Sequence, residues 1–303
     1  MHLPSIHFKS GAHARLLAGL AALLVAGTGA CGTDGDTVAS SAAPSTPAPE
    51  PVTTPTPTAV PWAEVETYLA ARHGQYRKTD WLGPDNGDQV NNLATEIVQF
   101  DRDAPYHDRS ISNSAAVTEA LGHEPPGSGI RFVTTDTVTL VRYPSAVEAC
   151  GTQWVDLGDA EGNHLAEFGL APVDPRDVEP FEVLSSIVGE PEPVRVDADG
   201  TLYEITVAGG AGLQLTSAAA TDPGVLETLA GAESIGHAFL PAGVGPLELH
   251  VDYTDIAAAA TGIQVPDDAI YRSTWLINAD IPEFDPALPP EIADWSCLED
   301  SLG

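Results

Sequence analysis

The sequence predicts an α+β domain built on an antiparallel sheet with helices laid across one face, and three features predict it. Clean apolar/polar alternation recurs in several short segments, most plainly at Leu247, Leu249, Val251 and Tyr253 against Glu248, His250, Asp252 and Thr254, as expected of strands with one buried and one wet face. An Asp199-Gly200 pair sits between Val194–Val196 and Tyr203–Val207, a strong short-range hairpin signal. Two proline-led helical patterns, after Pro180 and after Asp222-Pro223, interrupt the strands rather than alternate with them, which argues against a parallel α/β sheet.

Taken in order, Trp62 to His73 places Trp62, Val65, Tyr68 and Leu69 on one face with Gly74 as a stop, the pattern of a short amphipathic helix. Residues 75–91 are polar and rich in turn formers, and Asn92 to Phe100 reads as the first strand. Residues 101–128 carry no assignable pattern. Ile130-Arg131-Phe132 and 137–143 are separated by Thr135-Asp136 and read as a hairpin, with 152–157 the next strand. Phe181, Leu184, Ile187 and Val188 share a helical face that Gly189 and Pro191 end, and Val225, Leu226 and Leu229 share another that Gly231 ends. Ile270 to Ile277 is the last strand.

The N-terminus reads as an address. Lys9 and Arg15 precede an apolar run from Leu16 to Ala26, too short to span a bilayer, and small residues follow at 27–30. That is a secretory signal peptide, so residues 1–30 are expected to be removed. The residue behind the small-residue exit is Cys31, and the junction resembles the bacterial lipobox, with Thr28 where lipoproteins usually carry Leu or Val. The resemblance implies a diacylglyceryl and palmitate anchor on Cys31 at the extracytoplasmic face of a bacterial plasma membrane; ordinary secretion with cleavage after Ala30 is the alternative. Cysteine arithmetic favours the anchor. The chain has 3 Cys, and an odd number in an exported protein needs a reason. With Cys31 lipidated, Cys150 and Cys297 are left to form one disulfide, at most about 5 kcal/mol in the chain-entropy model, or to remain two free thiols.

Residues 32–61 are Ser, Thr, Pro and Ala with hardly a large apolar side chain, so 31–61 reads as lipidated Cys plus tether and 62–303 as the extracytoplasmic domain. The tether would reach roughly 90 Å in polyproline form. With 12 Lys plus Arg against 44 Asp plus Glu, net charge is −32, and losing Lys9 and Arg15 with the leader takes it to −34. Such a charge repels phosphate backbones and anionic lipid headgroups and excludes nucleic acid as a partner.

The order VRYP (141–144), GTQWVDLG (151–158), EPFEVLSSIVG (179–189) and VRVDADGTLYEITV (194–207) resembles the mycobacterial LppX/LprG-type lipoproteins and, more remotely, the LolA-like lipoprotein carriers. The resemblance implies a half-barrel sheet with helices across its open side, enclosing acyl chains. Phe132, Val138, Leu140, Tyr203, Ile205, Leu249 and Val251 are then the residues expected to face a ligand. Periodicity serves equally for residues that simply pack beneath helices.

Sequence signals for catalysis are weak. GAESIG at 231–236 has the wrong spacing for a nucleophile elbow, and Asp197-Ala198-Asp199-Gly200 has too few ligands before its glycine for a calcium loop. Asp156, Asp159 and Glu161 have no ligand spacing, and His164, His237 and His250 form no H-x-x-x-H pair. The glycine-rich run 208–212 leads into no helix that could cradle phosphate. The expectation is a non-enzymatic envelope lipoprotein without metal or cofactor. It binds or transfers a lipid or other hydrophobic ligand, or, alternatively, it contacts a protein or cell-wall partner that the sequence does not name.

Overall fold

The computed structural model describes residues 56–84, 91–113, 129–142, 146–158, 176–213, 219, 222–261, 265–267, 269–279 and 288–298. The predicted leader, Cys31, the tether up to Pro55, and Asp159, Glu161 and His164 lie outside the described residues.

Strands β1 (His73–Pro84), β2 (Asn91–Asp101), β3 (Tyr106–Asn113), β4 (Ile130–Thr135), β5 (Thr139–Arg142) and β6 (Trp154–Asp156) form one meander. A second comprises β7 (Ile187–Val196), β8 (Gly200–Ala208), β9 (Glu233–Pro241), β10 (Leu247–Asp252) and β11 (Ala269–Asn278). They join where β11 pairs β1, giving an open 12-stranded sheet in the order β12-β6-β5-β4-β3-β2-β1-β11-β10-β9-β8-β7. The two-residue β12 (Ala293–Asp294) runs parallel to β6. The sheet is therefore mixed, where the sequence predicts a purely antiparallel one.

A 3-10 turn at Trp62–Glu64 and helix α1 (Val65–Leu69) lead into β1. Helix α2 (Ala146–Cys150) precedes β6. Helices α3 (Glu179–Ser185), α4 (Pro223–Ala230) and α5 (Thr254–Thr261) supply Phe181, Val183, Leu184, Leu229, Ile256, Ala257 and Ala260 to the main core. Against them the sheet presents one face, from Tyr203, Ile205 and Val207 through Leu247, Leu249 and Val251 to Trp275 and Ile277. This is the inner face of the sheet.

The predicted α4 cap is present: the Asp222 side chain accepts the backbone N–H groups of Gly224 and Val225, with Pro223 opening the helix. In the predicted 199–200 hairpin, the Asp197 carboxylate accepts the N–H groups of Asp199 and Gly200, so these acids build a turn.

Several expectations are corrected. The helix predicted over 62–73 ends at Leu69, and Gly74 lies inside β1 instead of stopping a helix. Glycine is needed there because a Cβ would stand 2.8 Å from the Phe100 ring and 2.9 Å from the Asn278 carbonyl. The polar stretch 75–91 contains most of β1, and the unassigned stretch after 101 contains β3. Helix α3 stops at Ser185, with Ile187 already opening β7 and Gly189 and Pro191 inside that strand, where its register against β8 shifts. GAESIG leads into β9, and α5 and β12 carried no recognised signal.

Cys150 and Cys297 form a disulfide that spans 147 residues with their Cα atoms 5.3 Å apart. Around it a second cluster packs Ile130, Phe132, Val141, Ala146, Val155, Leu157, Trp295 and Leu298. Among the described residues no helix is long and apolar enough to cross a membrane.

Candidate functional site

The inner face changes chemistry at the seam between the two meanders. On β1 the inward positions are Tyr76, Lys78, Asp80 and Leu82, all buried. Register places Lys78 beside Trp275 and Asp80 beside Ser273 on one flank, and Lys78 beside Glu96 on the other. A strand further on, Val98 stands beside Arg109. Five charged groups (Lys78, Asp80, Glu96, Arg109 and Glu179) thus gather in and beside a hydrophobic core.

They persist there because they are partnered. Lys78 Nζ lies 2.7 Å from Glu179 Oε1 on α3, donates to the Gly212 carbonyl at 3.0 Å, and stands 4.0 Å from Asp80 Oδ1 and 5.6 Å from the Trp275 ring. Arg109 binds Glu96 through both arms of its guanidinium, at 2.9 and 2.7 Å, the fork geometry that suits carboxylates. The Ser273 hydroxyl donates to Asp80 at 2.6 Å. The Tyr253 hydroxyl donates to the Ala211 carbonyl. The glycine-rich run thus turns its carbonyls inward to a phenol and an ammonium rather than its N–H groups outward to phosphate. Gly212 has φ +79°, and a Cβ there would sit 2.4 Å from Val183 on α3.

Burial works against the Lys78 ammonium, but Asp80, Glu179 and Glu96 outweigh it and hold its pKa well above the ordinary lysine value. Burial raises Asp80 and Glu179, which Lys78 only partly offsets. For Glu96 the balance reverses: Arg109 and Lys78 overcome burial and lower it. His107, buried on β3 and facing the Arg109 cation, is lowered to about 4 and is neutral near pH 7. An ammonium held this firmly is neither nucleophile nor base at neutral pH, and Ser273 donates to a carboxylate instead of a histidine. What the arrangement can do is tie α3 and the 208–212 turn to the sheet. Among the described residues no group of His, Cys, Asp and Glu is placed to hold a metal ion.

The seven residues expected to face a ligand fall into three clusters. Tyr203, Ile205, Leu249 and Val251 share the main inner-face core beneath α3, α4 and α5. Phe132 packs in the disulfide cluster. Val138 and Leu140 belong with Tyr106, Val133 and Trp154 to a third cluster, to which β4 gives Val133 rather than its neighbour Phe132, so it lies on the opposite face of the sheet. Beside it, Arg131 pairs with Asp108 at 2.5 Å and lies over the Trp154 ring. The charged residues of the seam escaped sequence reasoning. Their available signal is the period-two order Tyr76, Lys78, Asp80, Leu82, which is a strand pattern only if charges count as buried.

No protein-family model and no curated protein sequence matches the chain. Among solved structures it is similar to the crystal structure of a DUF1329 family protein from Desulfovibrio piger, at 8% identity over 74% of this chain and 92% of that one, with a TM-score of 0.26. So loose a likeness carries no argument about function.

Proposed function

We propose that the chain is an exported bacterial lipoprotein, anchored through Cys31 at the extracytoplasmic face of the plasma membrane, whose domain binds or transfers a lipid or other hydrophobic ligand without catalysing a reaction. The observation that carries the anchor is the Cys150–Cys297 disulfide. It accounts for two of the chain's three cysteines, fits an oxidising compartment, and leaves Cys31, behind its small-residue exit, as the odd one. The ligand reading is supported by the largely apolar inner face from β8 to β11 beneath three short helices. In this reading the sheet is a half-barrel, and separation of the helices from that face admits an acyl chain.

The alternative, a surface module that contacts a protein or cell-wall partner, draws on one observation. Phe181, Val183, Leu184, Leu229 and Ile256 already cover the inner face, so side chains fill the place of a ligand. Solvent extraction and mass spectrometry of the full chain purified from a lipid-containing bacterial host decides between them. The ligand reading expects a stoichiometric co-purified lipid. An empty protein that also fails to bind a fluorescent fatty acid contradicts it.

A further inference from the structure

On the face of the sheet opposite the helices, strands β7 to β11 form an open groove of about 540 Å³, within the size range of small-molecule sites. Its apolar floor is Leu202, Ile235, Phe239 and Ile270, with Ile235 53% exposed. At one end stands Arg272. Its cross-strand neighbour is Asp252, the natural partner for a guanidinium at that spacing. Asp252 is turned away: its Oδ1 accepts the Thr254 N–H at 2.8 Å and the Thr254 hydroxyl at 2.5 Å, at the start of α5. Among the described residues Arg272 has no ion pair, and its buried Nε–H has no acceptor. A guanidinium with no partner of its own is open to an oxygen-bearing group at this end of the groove.

The unpaired guanidinium selects the ligand. Elsewhere a domain with this excess of acids repels anions. In the groove Arg195 is held by Asp197 at 3.1 Å, which leaves Arg272 as the cation open to a ligand beside Glu248 and Asp252, and the imidazoles of His237 and His250 add further polar groups. We infer that this groove binds a small amphipathic anion, a carboxylate carrying an apolar chain, with its head at Arg272 and its body over Ile235 and Phe239. The site lies on the opposite face from the proposed lipid site and does not rest on that reading.

The test titrates decanoate and 1-decanol into the full chain carrying Cys31→Ser, in detergent-free buffer, by calorimetry. Decanoate should bind at least about tenfold more tightly than decanol, since a charged hydrogen bond is worth that factor or more. Arg272→Gln should bring decanoate down to the decanol level. Ile235→Glu, at an exposed position that the fold tolerates, should weaken decanoate by about tenfold or more through like-charge repulsion. Absence of decanoate binding overturns the inference, and so does decanoate binding that both variants leave unchanged, which would move the ligand to the helix-covered face and favour the lipid reading instead.

Discussion

Strands β1 and β10 flank β11 on either side and bury the same face, yet they fill it with opposite chemistry. In β10 the inward positions are Leu247, Leu249 and Val251, each 0% exposed; in β1 they include Lys78 and Asp80, 1% and 8% exposed. One row across the sheet reads Lys78, Trp275, Leu249, and the next reads Asp80, Ser273, Val251. Aliphatic positions need only volume and exclusion of water. Charged positions need specific partners, here drawn from β2, β3, β11 and α3. The β10 side is therefore locally robust, whereas the β1 side is a network in which each member depends on the others.

The largest effect should come from cutting that network. Lys78→Ala leaves Glu179 and Asp80 buried without their cation, and the expected loss is about 3–5 kcal/mol in urea unfolding. Lys78→Met combined with Glu179→Met removes one charge together with its partner and should restore part of the loss, with Asp80 kept by its Ser273 hydrogen bond. A double variant no more stable than Lys78→Ala would mean that the network is not held by charge pairing. Leu249→Ala, across Trp275 from Lys78, should cost about 3 kcal/mol through its cavity, with little dependence on pH.

A pH series sharpens the contrast. His107 has a folded pKa of about 4 against an ordinary 6.5, so the unfolded chain takes up its proton first as pH falls. The stability this neutral imidazole protects is complete above about pH 6.5 and is lost progressively down to about pH 4, on the order of 3 kcal/mol in all. Asp80 and Glu179, raised in the fold, act in the opposite sense as they protonate. The comparison is therefore between the parent and His107→Gln at each pH, and parallel curves would contradict the assignment. The smallest effect is local: Asp222→Ala should cost about 1 kcal/mol through the α4 cap, with the charge network undisturbed.

The same contrast explains what the sequence made legible. The β10 alternation, the Asp197–Gly200 turn and the Asp222-Pro223 cap are local and carry their own chemistry, so each was readable from a few neighbouring residues. Strand β1 was not, because its buried face includes an ammonium and a carboxylate whose partners lie as far away as Glu179 and Ser273, and such a segment looks like a solvated loop. Helix α5 was missed because its alanines carry a weak amphipathic pattern and the side chain that accepts its first N–H, Asp252, lies at the end of a strand. The paired cysteines were readable by counting, whereas the dispersal of the seven expected ligand residues over three clusters depends on β-register and on which elements cover each face.

The central claim is that the mature chain begins with a lipid-bearing Cys31 and carries a disulfide-closed domain. Intact-mass measurement of the membrane-extracted protein tests it most directly. The account predicts a polypeptide starting at Cys31, heavier by a diacylglyceryl group and lighter by the two hydrogens of the Cys150–Cys297 bridge. A mature chain that starts at another residue with no added lipid mass would contradict it.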